Sequence, residues 1–178
     1  IQNSLDAKAE DADRVKIKFE LNSFQRSAVP DIERLTQVLQ CCVNSSKDES
    51  EDSIAEIKEA HDYCSRMNFH VLSCTDFGTT GMAGPYVKGR PFYTYLNTKG
   101  SSPGDSKRAG SHGHGKDAPL ANSAIRAIFA SATYLDDAGE KRHLAQGKCV
   151  FMSHFQDDQQ FENIGQWSTS SLQPVEEL

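Results

Sequence analysis

The sequence predicts one α/β (α+β) domain, in which a mixed β-sheet and the helices that cover one of its faces form a two-layer sandwich. Two kinds of periodicity lead to this prediction. Residues 15–21 (VKIKFEL) alternate apolar and polar side chains, as half-buried strands do. Residues 31–42 place apolar side chains at helical spacing, and β-forming runs return at 125–135 and 147–154. With 178 residues, the chain is long enough to bury a sizeable core.

Start signals and apolar spacing predict the helices. The opening segment places Ile1 and Leu5 on one helical face. Pro30 stands directly before the second helix, a position that suits its fixed backbone angle. Ser53 and Glu56 match a capping box for the third helix. The buried side of that helix is expected to carry Ile54, Ile57, His61, Cys64 and Met67.

The middle of the chain changes character after a second strand. Residues 69–75 (FHVLSCT) are a short run of β-forming residues, which predicts a central strand ending at Asp76. Residues 78–115 are rich in glycine and show no sustained periodicity. Long segments of this kind inside a compact domain are typical of functional lids, so we expect a mobile lid there.

Regular structure is expected to return after the lid. Residues 118–123 predict a helix start, and a turn at 136–141 (DDAGEK) joins the two late strands. The domain is therefore expected to span residues 1–167 and to be followed by a solvated tail, 168–178. The opening segment lacks a cap or start signal, so we expect the chain to be part of a longer parent protein.

Composition narrows the classes of function. The net charge of −6 and the pI of about 5.5 give no global electrostatic attraction for nucleic acid, so such contact is expected only through the parent protein. No apolar run is long enough to span a bilayer, so no membrane partner is expected. The five cysteines are odd in number and lack the C-x-x-C spacing, which indicates thiols of a reducing, cytoplasmic compartment: Cys41, Cys42, Cys64, Cys74 and Cys149.

The stretch GSHGHGK at residues 110–116 admits three interpretations when it is taken alone. It has the G-x-x-x-x-G-K spacing of a phosphate-binding P-loop, but Asp117 replaces the Ser or Thr that would hold magnesium, and no buried strand precedes it. His112 and His114 could supply two metal ligands, yet no third His or Cys lies at short spacing. The third interpretation is a solvated glycine linker.

Three segments in order are more informative than any one of them. Residues 2–7 (QNSLDA), 76–82 (DFGTTGM) and 110–116 (GSHGHGK) resemble the three nucleotide-binding boxes of the GHKL superfamily. That superfamily contains gyrase, Hsp90-type chaperone, histidine kinase and MutL ATPases. The resemblance implies the Bergerat ATP-binding fold with a long Gly-rich ATP lid, and ATP and magnesium as cofactors. Many members have D-x-G-x-G in the second box; the longer D-F-G-T-T-G of this chain resembles an uncharacterised bacterial branch.

The resemblance implies roles for the first two boxes. Asn3 matches the asparagine that holds magnesium against the triphosphate, and Asp6 matches a second polar position one helical turn away. Asp76 matches the aspartate that accepts a hydrogen bond from the adenine amino group, a bond that a carboxylate is suited to accept. The same resemblance assigns the remaining positions of the second box to the base: Gly78 and Gly81 let the backbone approach it, and Met82 packs against it.

The third box is implied to contact the phosphates. There, glycines expose N–H groups to the phosphate oxygens, and Lys116 would meet the γ-phosphate. The positions concerned are Gly110, Gly113, Gly115 and Lys116. His114, like His112, falls at a variable position of the box, so it is expected to make only a minor contact.

The resemblance also implies an activity. ATP would close the lid, closure would promote an ATP-dependent homodimer, and hydrolysis would reopen it. The family's general-base glutamate lies four residues before the box asparagine, a position that precedes Ile1. We therefore expect the parent protein to be an ATPase, while this chain binds ATP weakly and hydrolyses little. Two alternatives stay open: a nucleotide-gated interaction module without significant hydrolysis, and a histidine-kinase-type catalytic domain.

Overall fold

The computed structural model describes residues 1–46, 49–97 and 118–176, and within these ranges the protein combines helices with antiparallel sheets in an α+β arrangement. The α-helices are α1 (Gln2–Asp6), α2 (Ile32–Ser45), α3 (Glu51–Cys64), α4 (Pro91–Asn97) and α5 (Ala118–Ala121). The strands are β1 (Lys16–Gln25), β2 (Asn68–Phe77), β3 (Ala127–Leu135), β4 (Lys141–Val150), β5 (His154–Gln156), β6 (Gln159–Phe161) and β7 (Ile164–Trp167).

The described strands form three separate sheets. β1 pairs with β2 over their whole length, β3, β4 and β7 form a three-stranded sheet in that order, and β5 pairs with β6. Every one of these pairs is antiparallel. The prediction of a single mixed sheet is therefore wrong for the described residues. The error arises because periodicity identifies a strand without identifying its partner.

The largest core lies between the two long helices. The apolar face predicted for α2 is confirmed, and it packs against α3, Phe69 at the start of β2, and Met152 after β4. The buried members of this helical core are Ile32, Leu35, Leu39, Cys42, Ile57, Ala60, Cys64, Phe69 and Met152.

Two predictions for the ends of α3 are wrong. Ser50 caps α3 in place of Ser53, since its Oγ accepts the Ser53 N–H at 3.2 Å, and Met67 lies exposed beyond the end of the helix.

A second core joins the three-stranded sheet to residues that the sequence assigned to the lid. Within the predicted lid, 78–115, residues 91–97 form α4, and Phe92 and Leu96 of this helix are buried against Ala132 and Leu144. The described first part of the predicted lid is therefore packed. The high glycine content of this segment led us to predict a lid, but the buried side chains of Phe92 and Leu96 pack it against the sheet. The remainder, 98–115, lies outside the described residues.

The ends of several elements differ from the prediction. The strand predicted at 15–21 is confirmed and continues to Gln25, whereas α1 has no buried residue and leaves Ile1 and Leu5 exposed. β2 has β1 as its one neighbour among the described strands, so the prediction of a central strand is wrong. The late strand predicted from residue 147 begins at Lys141. α4, β5, β6 and β7 were not predicted, because each is too short to show a period.

The predicted tail is partly folded onto the domain. Val175 and Ala145 exchange two backbone hydrogen bonds of 2.9 Å, and Pro174 beside it is fully buried. Within the segment predicted as a solvated tail, 168–178, Pro174 is therefore buried, and Val175 pairs with β4 through its backbone while its side chain stays exposed. In the part of the chain that the structure describes, no helix has the length and apolar character needed to cross a membrane.

Candidate functional site

The first predicted box lies on α1, a short helix at the surface. Asn3 and Asp6 are both exposed, one turn apart. Asp6 Oδ1 accepts a hydrogen bond of 2.9 Å from Gln2 Nε2, which fixes the carboxylate against its own helix. The N–H of Ala7 closes the helix by donating to the Asn3 carbonyl at 3.1 Å. The backbone of Asn3 is therefore held in a hydrogen-bonded helical turn, while its side chain is exposed.

The second predicted box begins inside β2 and continues into a glycine turn. Asp76 is exposed, lies opposite Ile17 in the β1–β2 ladder, and accepts a hydrogen bond of 3.3 Å from Thr79 Oγ1. Gly78 and Gly81 have φ values of 73° and 71°, in the left-handed region that favours glycine. A side chain at Gly81 would also collide with the Thr133 carbonyl of β3. This turn therefore requires glycine at both positions.

Hydrogen bonds hold the first two boxes side by side. The N–H of Ala9 donates to the Gly78 carbonyl at 3.0 Å, and the N–H of Thr80 donates to the Ala7 carbonyl at 2.8 Å. Between these bonds, Lys8 and Thr79 form an antiparallel β-bridge. Segments far apart in sequence thus meet, and the chain leaving the helix of Asn3 contacts the turn that follows Asp76.

The threonines of the second box are the residues whose structural importance the sequence did not reveal. Thr79 orients the Asp76 carboxylate, and Thr80 bonds to the first box through its backbone N–H. The extra residue of D-F-G-T-T-G was visible in the sequence as a departure from the common spacing. The fact that this insertion pairs with residues 7–9 depends on a tertiary contact, which local patterns do not encode.

Met82 connects the same turn to the folded body. It is partly buried and packs against the second core, whose buried members include Phe92, Leu96 and Leu144. Its implied contact with a base stays a prediction.

The third box, with Gly110, Gly113, His114, Gly115 and Lys116, lies outside the described residues, as do the alternative P-loop and histidine sites of that stretch. α5 begins at Ala118, close behind it, as predicted.

Shifted pKa values mark the structural ion pairs and thiols of the protein. The hydrogen bond from Arg142 lowers the pKa of Asp136 at the β3–β4 turn, and the backbone N–H groups of Glu140 and Ala138 lower it further. The hydrogen bond from Arg26 lowers the pKa of Glu33 in the same way. Burial raises the pKa of the Cys64 and Cys149 thiols to about 11 and also raises that of Cys42. These buried thiols are therefore protonated at neutral pH.

Two clefts of about 230 and 250 Å³ lie elsewhere on the surface. The first is bordered by Ser53 and Glu56 of α3 and by Arg126, and the second by Arg90 and Tyr134. Among the predicted site residues that the structure describes, none lines either cleft. Among the described residues, no cluster of three or more His, Cys, Asp or Glu side chains could hold a metal ion. A magnesium ion bound through Asn3 would not need such a cluster, because Mg²⁺ commonly takes only one or two protein ligands beside substrate phosphates.

No family model, curated protein or solved structure matches this chain. A functional assignment therefore depends on the residues of the three boxes and on the geometry of the two that are described.

Proposed function

We propose that this chain is the ATP-binding domain of a GHKL-type ATPase with the Bergerat fold, and that it binds ATP and magnesium under a glycine-rich lid. One observation carries the proposal: segments 7–9 and 78–80, which directly follow the asparagine helix and the aspartate strand, are joined by two backbone hydrogen bonds and a β-bridge. Two boxes that resemble one pocket in sequence are therefore neighbours in space.

The exposed groups at this junction suit the chemistry of the proposed ligand. The Asp76 carboxylate is accessible and held by a single described hydrogen bond, from Thr79, so it retains lone pairs for an exocyclic amine. The exposed amide oxygen of Asn3 is the hard type of ligand that magnesium prefers. Magnesium would neutralise phosphate charge when bound. Gly78 and Gly81 let this turn pack closely against the backbone carbonyls of Arg14 and Thr133, and their implied contact with the base stays a prediction.

The proposal also covers what ATP binding does and the compartment in which the protein works. Lid closure over the triphosphate would drive a conformational change or dimerisation, and the parent protein would hydrolyse ATP. All five cysteines are free, which supports a reducing compartment such as the bacterial cytoplasm.

Titration of the parent protein with MgATP tests the proposed base contact. We expect saturable binding, competition by ATP but much less by GTP, and a loss of about tenfold or more in affinity for Asp76→Asn, because a neutral amide accepts a weaker hydrogen bond than a carboxylate. Asp11→Asn is the matched control, since Asp11 is also exposed but lies in the loop before β1. A wild-type protein that does not bind ATP, or equal losses in both variants, would refute the proposal.

Substitutions in the third box test the proposed phosphate contacts. Gly113→Val should block the approach of the backbone to phosphate, and Lys116→Ala should remove a charge, so both should weaken ATP binding about tenfold or more. His114→Ala serves as the control, since it falls at a variable position of the box. Equal effects of all three substitutions on ATP affinity would contradict the assignment.

A further inference from the structure

The β1–β2 ribbon, residues 16–25 and 68–77, is largely exposed, and Phe69 is its one buried residue. Two-stranded ribbons are marginal by themselves, and exposed apolar patches commonly mark interaction surfaces. One ribbon face carries Phe19, Leu21 and Leu72, whose surfaces remain 57%, 71% and 67% exposed. Ile17 and Cys74 lie on the same face, because residues directly opposite each other in a ladder point to one side.

The edge of β1 that faces away from β2 is available for pairing with a further strand. Within the described residues, β1 pairs with β2 alone, so alternate backbone N–H and C=O groups along its other edge have no strand partner. The strand has ten residues, about twice the common length. It contains no proline that would prevent a further strand from pairing.

The side chains of β1 are complementary to those of a second, antiparallel copy of the same strand. We propose that two copies of the chain associate through antiparallel pairing of β1 with β1, about a two-fold axis at Phe19. In this register, Lys18 lies opposite the partner's Glu20 and Glu20 opposite the partner's Lys18. On the other face, Phe19 meets its own copy and Ile17 lies opposite the partner's Leu21. Both charge pairs and apolar pairs directly across strands stabilise a sheet.

Charge complementarity distinguishes this edge from the edge of β2. Lys18 Nζ and Glu20 Oε1 are 2.8 Å apart within one strand, and both side chains are about half exposed. Two copies in the proposed register would join these ion pairs into a single cluster of alternating charge. β2 carries Asp76 as its one Asp, Glu, Lys or Arg, so pairing of two β2 edges would gain no comparable contact. The result is a four-stranded sheet in the order β2-β1-β1-β2 that needs no nucleotide.

Sedimentation of the full chain without nucleotide measures the proposed dimer. Lys18→Glu and Glu20→Lys should each raise the dimer dissociation constant about tenfold or more, because each places like charges opposite one another twice per dimer. Lys16→Glu is the matched control, since it makes the same charge change as Lys18→Glu on the same strand but lies opposite a neutral Asn22 of the second copy. It should leave the dimer nearly unchanged.

Charge exchange provides the decisive comparison. The double variant K18E/E20K should recover the wild-type dissociation constant, and an equimolar mixture of K18E with E20K should form a heterodimer, since every opposed pair is again of opposite sign. Hydrogen exchange of β1 amides should slow in the dimer and not in either single variant. A monomeric wild-type chain, or single variants that dimerise as the wild type does, would overturn the proposal. ATP titration is a separate measurement, so the two proposals can fail independently.

Discussion

The helical core and the β1–β2 ribbon use similar apolar residues in opposite ways. In the helical core, Leu39 is fully buried between α2 and α3, whereas Leu21 on the ribbon remains 71% exposed. Both patterns follow from periodic sequences that predict one apolar face. The difference is that α2 finds a partner within the described structure and the ribbon face does not. Folding free energy is therefore concentrated in the helices, and the ribbon retains apolar surface for another contact.

Truncation of one leucine in each region should give the largest contrast. Leu39→Ala should lower the free energy of unfolding by about 2 to 5 kcal/mol, because it leaves a cavity in a packed core. Leu21→Ala should change it by less than about 0.5 kcal/mol in dilute protein, where association contributes little. Urea denaturation followed by circular dichroism measures both. Similar losses in the two variants would mean that the ribbon is as well covered as the helical core.

The glycine turn at the end of the ribbon should be the next most sensitive position. Gly81→Ala should cost about 2 kcal/mol or more of unfolding free energy, since it combines a left-handed backbone with a collision against the Thr133 carbonyl. Gly139→Ala is the matched control: its φ of 78° is similar, but the space around it is open. We expect a loss of about 1 kcal/mol there. Equal losses in urea denaturation would show that the close approach to β3 is unimportant.

Alkaline pH should weaken the helical core through its thiols. Burial raises the pKa of Cys64 to about 11, above the value of about 8.5 for an unfolded thiol, so the folded state binds this proton more tightly. The resulting stability is complete below about pH 8.5 and is lost as the pH rises toward the folded value. A rise of the pKa from about 8.5 to about 11 makes Cys64 account for up to about 3 kcal/mol of that loss. Cys64→Ala should reduce the alkaline slope of the urea midpoint. Cys74→Ala, on the exposed ribbon, should leave it unchanged.

The smallest effect is expected at the β3–β4 turn, where an exposed ion pair replaces apolar packing. Arg142 holds the pKa of Asp136 below its usual range, so its stabilising contribution is present above about pH 3.9 and is lost as the pH falls through the folded value. Asp136→Asn should slightly lower Tm at neutral pH and match the wild type in acid. Asp137→Asn, with a nearly fully exposed carboxylate, is the control. A Tm difference that persists in acid would contradict the assignment to the charge.

Long periodic elements were predictable from the sequence, whereas the role of the three candidate boxes stays a prediction. The apolar spacing of Ile32, Leu35 and Leu39 specified α2, and alternation specified β1, because each pattern repeats often enough to exceed chance. α4 could not be predicted, because a single turn or two of helix shows no full period. It forms where Phe92 and Leu96 can reach the sheet, which only the folded chain determines.

The sequence by itself determined which chemical groups are available at the candidate positions: a carboxylate at Asp76, an amide at Asn3, and glycines at 78 and 81. It also determined the apolar faces, since their spacing is a property of the local chain. Only the tertiary structure decided which faces are covered and that segments 7–9 and 78–80 pair. Strand partners and long-range hydrogen bonds join residues distant in sequence, and local periodicity carries no information about which distant segment will supply the complementary edge.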